Sequence, residues 1–232
     1  MTAGNSIAVT GGVGHPWRVE HPEPWPLRNL VLRTPRLELR PDDDEGLLEL
    51  AEVAYGGVHD PATMPFLVPW TDADPRYLGR GVLQHFWRER AQLGPKRWAL
   101  NLLIRHGGRV VGVQSMTAEE FATLRSVDTG SWLGLPHQRR GFGTEMRAAV
   151  LQLAFDHLGA REANSGAYSD NTASLTVSER LGYRRNGVKT QLRRDQPGTE
   201  VLLRLTPEDF VRPDWKLQVD GLPECLALLG AG

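Results

Sequence analysis

The sequence predicts a mixed α/β fold, α and β elements in one domain, built on a single twisted mixed sheet of about seven strands with helices on both faces. Three observations predict it. Short apolar and β-branched segments alternate with segments of helical period along the chain. Two of the short segments are joined by His106-Gly107-Gly108, a tight hairpin signal. Another, Val127 to Leu135, runs through a glycine-containing loop straight into a helix.

Residues 1–29 are rich in Gly, Pro and polar residues and have no period. Pro16, Pro22, Pro24 and Pro26 argue for an extended lead-in, with Trp17 and Trp25 as anchors. Leu30–Leu32 and Leu37–Arg40 read as strand segments. Asp42 is then expected to cap a helix, its start favoured by Asp43, Asp44 and Glu45 and its buried stripe formed by Leu47, Leu50, Ala51 and Ala54.

Gly56 to Thr71 is a loop of glycine, proline and aromatic residues. A second helix is expected from Asp74-Pro75, carrying Leu78, Val82, Phe86 and Leu93 and ending at Gly94-Pro95. Strands follow over 98–105, 109–116 and 127–135. Next come a helix over 141–158, a strand over 161–168 and a helix over 170–181. Strands over 183–194 and 200–205 are linked by a turn at Gln196-Pro197-Gly198. The main domain spans 30–212. The tail, 213–232, is expected to add a short strand and an apolar turn.

The chain has 232 residues, enough for one sizeable domain. Lys+Arg 27 against Asp+Glu 28 gives a formal net charge of -1, which withholds the broad basic surface of a nucleic-acid or anionic-membrane partner. Cys225 is the one cysteine, so an intrachain disulfide and a cysteine-based zinc site are excluded, and no metal is expected. Among Leu222, Leu226 and Leu228 it reads as a buried structural thiol. No basic segment followed by an apolar run opens the sequence, and no apolar run is long enough to span a bilayer. A cytoplasmic location is the expectation.

The chemistry-bearing segment is Gln138-Arg139-Arg140-Gly141-Phe142-Gly143-Thr144. A loop that opens a helix aims several backbone N–H groups at one spot, and the helix dipole adds partial positive charge there. Gly141 and Gly143 let an anion approach the backbone closely. The glycines do not fit the dinucleotide fingerprint, whose third position is Met146 here, nor a P-loop, since no lysine follows them.

The pattern Q-x-x-G-x-G resembles the pyrophosphate loop of the GNAT superfamily of acyl-CoA N-acyltransferases. A second segment carries the same resemblance: Asp170-Asn171-Thr172-Ala173-Ser174 through Arg180-Leu181-Gly182-Tyr183 is similar to the N-x-A-S…LG-[FY] signature. The likeness is greatest to the branch of ribosomal-protein and N-terminal-amine acetyltransferases, and covers roughly residues 30–210. Gly57-Val58-His59-Asp60-Pro61, Met64-Pro65-Phe66 and Gly130 to Leu135 further resemble an actinobacterial subgroup described as succinyltransferases.

The resemblance implies a GNAT fold, acetyl-CoA or succinyl-CoA as acyl donor, and a primary amine of a small molecule or protein as acceptor. It implies that Gln138, Arg139, Arg140, Gly141, Phe142, Gly143 and Thr144 hold the pyrophosphate. The backbone near Trp132, Leu133 and Leu135 is then expected to bind the pantetheine amides and polarise the thioester, with Asn171 beside the arm and Ser174 against the thiolate. Asp128, in phase with Gly130 and Trp132 on its strand, is a candidate base for the amine proton. His59 and Asp60 are rivals. Phe66 and Trp70 are candidates for an acceptor pocket, and Phe86 for the core. Gln114 and Arg125 are candidates for the carboxylate of a succinyl donor. Strand edges and the tail leave room for a homo-oligomer. A CoA-binding sensor or scaffold without catalysis is the alternative function; its mark would be a damaged phosphate loop or a missing Ser174, and neither is seen.

Overall fold

The computed structural model describes residues 21–232. Pro16 and Trp17 lie outside them, whereas Trp25 packs against the core and Pro26 and Leu27 are buried. The elements run β1 (Val31–Arg33), β2 (Glu38–Pro41), α1 (Asp44–Tyr55), α2 (Leu78–Ala91), β3 (Arg97–His106), β4 (Arg109–Glu119), α3 (Phe121–Leu124), β5 (Ser126–Leu133), α4 (Phe142–Gln152), β6 (Glu162–Tyr168), α5 (Thr172–Arg180), β7 (Arg184–Arg193), β8 (Gln196–Leu205) and β9 (Gln218–Asp220). The strands form one mixed sheet, in the order β7-β8-β6-β5-β4-β3-β2-β1-β9. Among the described residues it has nine strands rather than about seven; the outermost comes from the tail, where β9 pairs antiparallel with β1.

Two apolar clusters sit on opposite faces of this sheet. On one face Leu47, Leu50 and Ala54 of α1 and Val82 and Phe86 of α2 pack on Leu103, Val110 and Val113, with Trp132 beside them. On the other, α4 and α5 pack over Val127, Leu133, Ala163 and Leu203. The tail closes the same layer: Cys225 and Leu229 are fully buried, and the Trp98 indole N–H donates to the Leu229 carbonyl at 2.9 Å. Burial pushes the Cys225 thiol up to about 11, in keeping with a structural cysteine.

Several boundaries differ from expectation for identifiable reasons. Asp43, not Asp42, caps α1 by accepting from the Gly46 N–H at 2.6 Å; Asp42 is turned to Arg90 of α2, 2.9 Å away. Helix α2 begins at Leu78, because Asp74 and Pro75 form a preceding turn in which the Asp74 carboxylate accepts from the Arg76 N–H. The hairpin between β7 and β8 turns at Arg194-Asp195, so Pro197 lies inside β8 opposite Leu192. Proline is tolerated there because β6 pairs with β8 only over Glu200–Leu205, leaving no ladder bond at position 197 to lose. In α5 the buried residues are Leu175 and Ser178; Ala173 is exposed.

Strands β5 and β6 form the one parallel pair among the described strands, and their pairing is short. It holds Ser126 to Glu162, Val127 to Ala163 and Asp128 to Asn164, and then stops. Each strand stays paired to its outer neighbour well beyond that point, β5 to β4 as far as Leu133 and β6 to β8 as far as Tyr168. The sheet therefore opens into a wedge between residues 129–133 and 165–168, closed at Asp128 and Asn164.

Candidate active site at the strand wedge

The open end of the wedge leads to the start of α4. Leu135–His137 form a single 3-10 turn, Arg139 and Gly141 take positive φ of 58° and 81°, and the helix begins at Phe142. No side chain among the described residues caps it. The N–H groups of its first turn have no intrahelical acceptor, so they form a ready anion site. At Gly141 the left-handed backbone favours glycine, and the Arg36 guanidinium lies 3.1 Å from where a Cβ would sit. Gly143 faces Val177 of α5 across a gap, 3.7 Å from a virtual Cβ.

The loop is held from behind. The buried Glu145 carboxylate accepts from the Thr34 hydroxyl at 2.5 Å and the Arg36 backbone N–H at 3.0 Å, and pairs with the Arg36 guanidinium. Arg36 also donates to the Arg140 carbonyl at 2.9 Å, turning that carbonyl away from the N–H groups at the helix start. The Phe142 side chain is buried between the guanidinia of Arg36 and Arg140 and the ring of His106, so only its backbone is available to a ligand. Gln138 is inward too. Its side-chain amide donates to Val58 O at 2.7 Å and Leu133 O at 2.8 Å, lashing the end of β5 to the loop after α1. The side-chain N–H groups of Gln138 thus serve the scaffold of the loop. Arg139 and Arg140 are exposed beside the helix start.

Helix α5 borders the wedge from the other side. Asn171 caps it, accepting from the Ser174 N–H at 3.1 Å, and its amide reaches toward Pro65 O at 3.5 Å. Ser174 is half-buried on the first turn.

The face carrying α1 and α2 holds an aromatic wall. His59, Phe66, Trp70 and Trp132 stack in succession, with centroid separations of 5.5, 5.3 and 5.2 Å. The proline-rich loop is thus laid against β5 beside the wedge. The β7–β8 hairpin and α5 hold it there: Arg193 donates to Met64 O at 2.8 Å and pairs with Asp170, and Arg194 pairs with Asp72 at 2.8 Å. Both ring nitrogens of His59 are engaged inside this loop, with Asp60 O at 2.8 Å and the Thr71 hydroxyl at 2.7 Å, and the Asp60 carboxylate accepts from Ala62 N–H. These are loop-forming contacts, which fix the shape of the segment that carries both side chains. Phe86 is buried in the core.

Of the carboxylates on this face, Asp128 and Glu200 border the wedge itself. Asp128 sits at its closed end and lines a groove of about 280 Å³ with Thr117, Glu119 and Ser126. Partial burial, together with the charges of Glu162 and Glu119, holds its carboxyl above the usual range. The second, Glu200 of β8, was not singled out in the sequence. It is 5% exposed, accepts from the Gln191 side chain at 2.9 Å, and reaches across β8 onto Gly166 of β6. A Cβ at Gly166 would collide with the Glu200 carboxylate oxygen. Only the pairing of β6 with β8 brings these residues together, so strand periodicity alone gave no sign of it.

Gln114 and Arg125 are separated. Gln114 is fully buried on β4 and donates to Gly130 O at 2.9 Å, next to the wedge. Arg125 precedes β5 at the opposite end, over the Phe121 ring and donating to Leu158 O at 3.1 Å. The two candidates for a donor carboxylate thus stand at opposite ends of β5, with Gln114 beside the wedge. What Gln114 meets instead is Arg147 of α4, whose Nε donates to the Gln114 side-chain oxygen at 3.4 Å.

The comparisons with known proteins bear on this arrangement. A family profile described as an acetyltransferase (GNAT) domain matches residues 36–184. Mycobacterium smegmatis RimJ in complex with CoA-disulfide is similar in structure: TM-score 0.65 at 19% identity, covering 87% of this chain and 95% of that one. A GCN5-related N-acetyltransferase from Brucella melitensis aligns with TM-score 0.62 at 19% identity, over 81% of this chain and 83% of its own. The ribosomal L7/L12 alpha-N-protein acetyltransferase RimL, in complex with coenzyme A, aligns with TM-score 0.58 at 18% identity, over 75% and 95%. At these identities the likeness is one of fold.

Proposed function

We propose, from the premise that this chain belongs to the GNAT acetyltransferase family, that it transfers an acetyl or succinyl group from an acyl-CoA thioester to a primary amine. The reaction is a direct attack within a ternary complex. The observation that carries this reading is the wedge between β5 and β6, which runs from a closed end at Asp128 to the uncapped start of α4. A ligand with a phosphate at one end and a narrow polar arm at the other fits that shape.

The CoA thioester supplies an activated acyl carbon and a thiolate leaving group. The backbone N–H groups of Gly141, Phe142, Gly143 and Thr144 hold the pyrophosphate, with Arg139 and Arg140 adding exposed positive charge beside them. The edge of β5 that β6 leaves free, near Trp132 to Leu135, pairs with the pantetheine amides, and Asn171 borders the arm. One N–H of that edge aimed at the developing oxyanion is worth about 3 kcal/mol of barrier by analogy with oxyanion-hole donors.

The acceptor enters from the face of α1 and α2, against Phe66, Trp70 and Trp132, which exclude water from one side. Its nitrogen attacks the acyl carbon and loses a proton to Glu200, directly or through one water. Asp128, at the closed end, is the second candidate for that proton. The Ser174 hydroxyl hydrogen-bonds the departing thiolate. An amine panel with acetyl-CoA, followed by thiol release, tests the reading: turnover with any primary amine supports it, and CoA binding without turnover on any of them contradicts it.

A further inference from the structure

Arg147, in the second turn of α4, is 4% exposed and, among the described residues, has no charged partner in its hydrogen bonds. Its guanidinium donates to Ser131 of β5 at 3.1 Å, Ser165 of β6 at 3.2 Å and Gln114 at 3.4 Å. The Ser165 hydroxyl passes the chain on to the Thr129 carbonyl at 3.2 Å, and the Thr129 hydroxyl meets the Tyr183 phenol at 3.0 Å. The phenol is kept neutral by its own burial. A fully buried cation surrounded by neutral oxygens has lost its hydration without gaining a counter-ion, an arrangement proteins rarely keep.

The position of this cation matters as much as its isolation. Ser131 and Ser165 stand on the two lips of the wedge, just past the last paired residues, Asp128 and Asn164. Arg147 thus spans the gap where backbone pairing between β5 and β6 has ceased. A donor held by its pyrophosphate at the start of α4 and running along the wedge toward its closed end passes between Ser131 and Ser165, the two residues that Arg147 bridges. A guanidinium has five N–H groups; three are placed on Gln114, Ser165 and Ser131 and a further one faces the neutral Tyr183 phenol.

Resting on the acyl-CoA reading of the same site, we infer that Arg147 is a specificity residue that selects donors whose acyl chain ends in a carboxylate. The carboxylate supplies the missing counter-charge and takes the remaining N–H, with Gln114 and the two serines fixing the plane of the guanidinium. An acetyl chain carries no carboxylate, and a butyryl chain of the same reach as succinyl brings only methyl and methylene groups.

Calorimetric titration of the full chain with succinyl-CoA and butyryl-CoA, for the native protein and for Arg147→Met, tests this. The native protein is expected to bind succinyl-CoA at least about tenfold more tightly than butyryl-CoA, the strength of one charge-assisted hydrogen bond. Arg147→Met is expected to lose that ratio. A mere strut between the strands would weaken both ligands alike and leave the ratio unchanged. Equal binding of the two thioesters by the native protein, or a ratio that survives in Arg147→Met, overturns the inference. The native comparison decides even where the variant fails to fold, and Arg147→Lys, which keeps the charge, should keep part of the preference. Binding of neither thioester nor of CoA itself would overturn the acyl-CoA reading along with it, whereas CoA binding with no succinyl preference overturns this inference alone.

Discussion

The Glu200 carboxylate lies over Gly166, on the neighbouring strand, in the space that any larger residue at 166 would fill. Gly166 belongs to the stretch of β6 that has parted from β5, so this contact places a buried acid at the rim of the wedge, on the face lined by Trp70 and Trp132. An amine attacking a thioester held in the wedge would meet it there.

Glu200→Gln keeps the shape and the contact with Gln191 but removes the ability to take a proton. Loss of a general base costs about 10²–10⁴-fold in rate. The expected outcome is a fall in kcat of at least a hundredfold with acetyl-CoA affinity retained, measured by thiol release and calorimetry. Asp128→Asn is expected to cost less than about tenfold by the same scale. The reverse ranking would move the base to Asp128.

Gly143→Asp separates binding from stability. A carboxylate in the first turn of α4 is favourable to the helix dipole but opposes a pyrophosphate held there. Thermal unfolding is expected to be unchanged or slightly raised, while CoA affinity falls by about tenfold or more, a loss of roughly 1.4 kcal/mol or above. Gly143→Ala is milder, since its Cβ would meet Val177 at an ordinary 3.7 Å. Normal CoA binding by Gly143→Asp would refute the phosphate-loop assignment.

Ser174→Ala is expected to lower kcat more than it weakens CoA binding, because its hydroxyl acts on the leaving group and its backbone N–H, not the hydroxyl, serves the Asn171 cap. Asn171→Ala should behave differently. Removing a capping side chain costs about 1 kcal/mol of stability, seen as an earlier urea midpoint. An unchanged rate in Ser174→Ala would remove that hydroxyl from the chemistry.

Asp42 supplies a pH signature of the fold. Burial raises its carboxyl from 3.8 to about 6, against the pull of Arg90. The folded value lies above the unfolded one, so the folded state holds the extra proton between about pH 4 and 6. Its contribution to stability is complete below that window and is lost as pH rises through it, by about 3 kcal/mol at most. Asp42→Asn cannot titrate, so its stability relative to the native protein is expected to rise between pH 4 and pH 7 in urea unfolding. A constant difference would contradict the buried-carboxyl account.

Local signals carried much of this architecture. Strand, glycine-containing loop and helix follow one another from Val127 onward because each is written in adjacent residues, and the structure bears out the mixed sheet with helices on both faces. What local pattern did not carry is the meeting of distant residues. Glu200 and Gly166 meet through the β6–β8 pairing, and Gln138 turns inward because the loop after α1 comes to rest beside β5. Arg147 left a trace that went unread: it is a charge lying among Met146, Val150, Leu151 and Ala154 on a helix buried almost all round. The hairpin turn was misplaced because Pro197-Gly198 is a strong turn signal, yet β8 has no inner neighbour at that point to exclude proline.

The most direct test of the central claim is native mass spectrometry of the purified chain, alone and with acetyl-CoA or succinyl-CoA added. The wedge and the open helix start predict a complex with one acyl-CoA per chain, weakened in Gly143→Asp. Absence of any CoA adduct under conditions that preserve the fold would contradict the acyltransferase account.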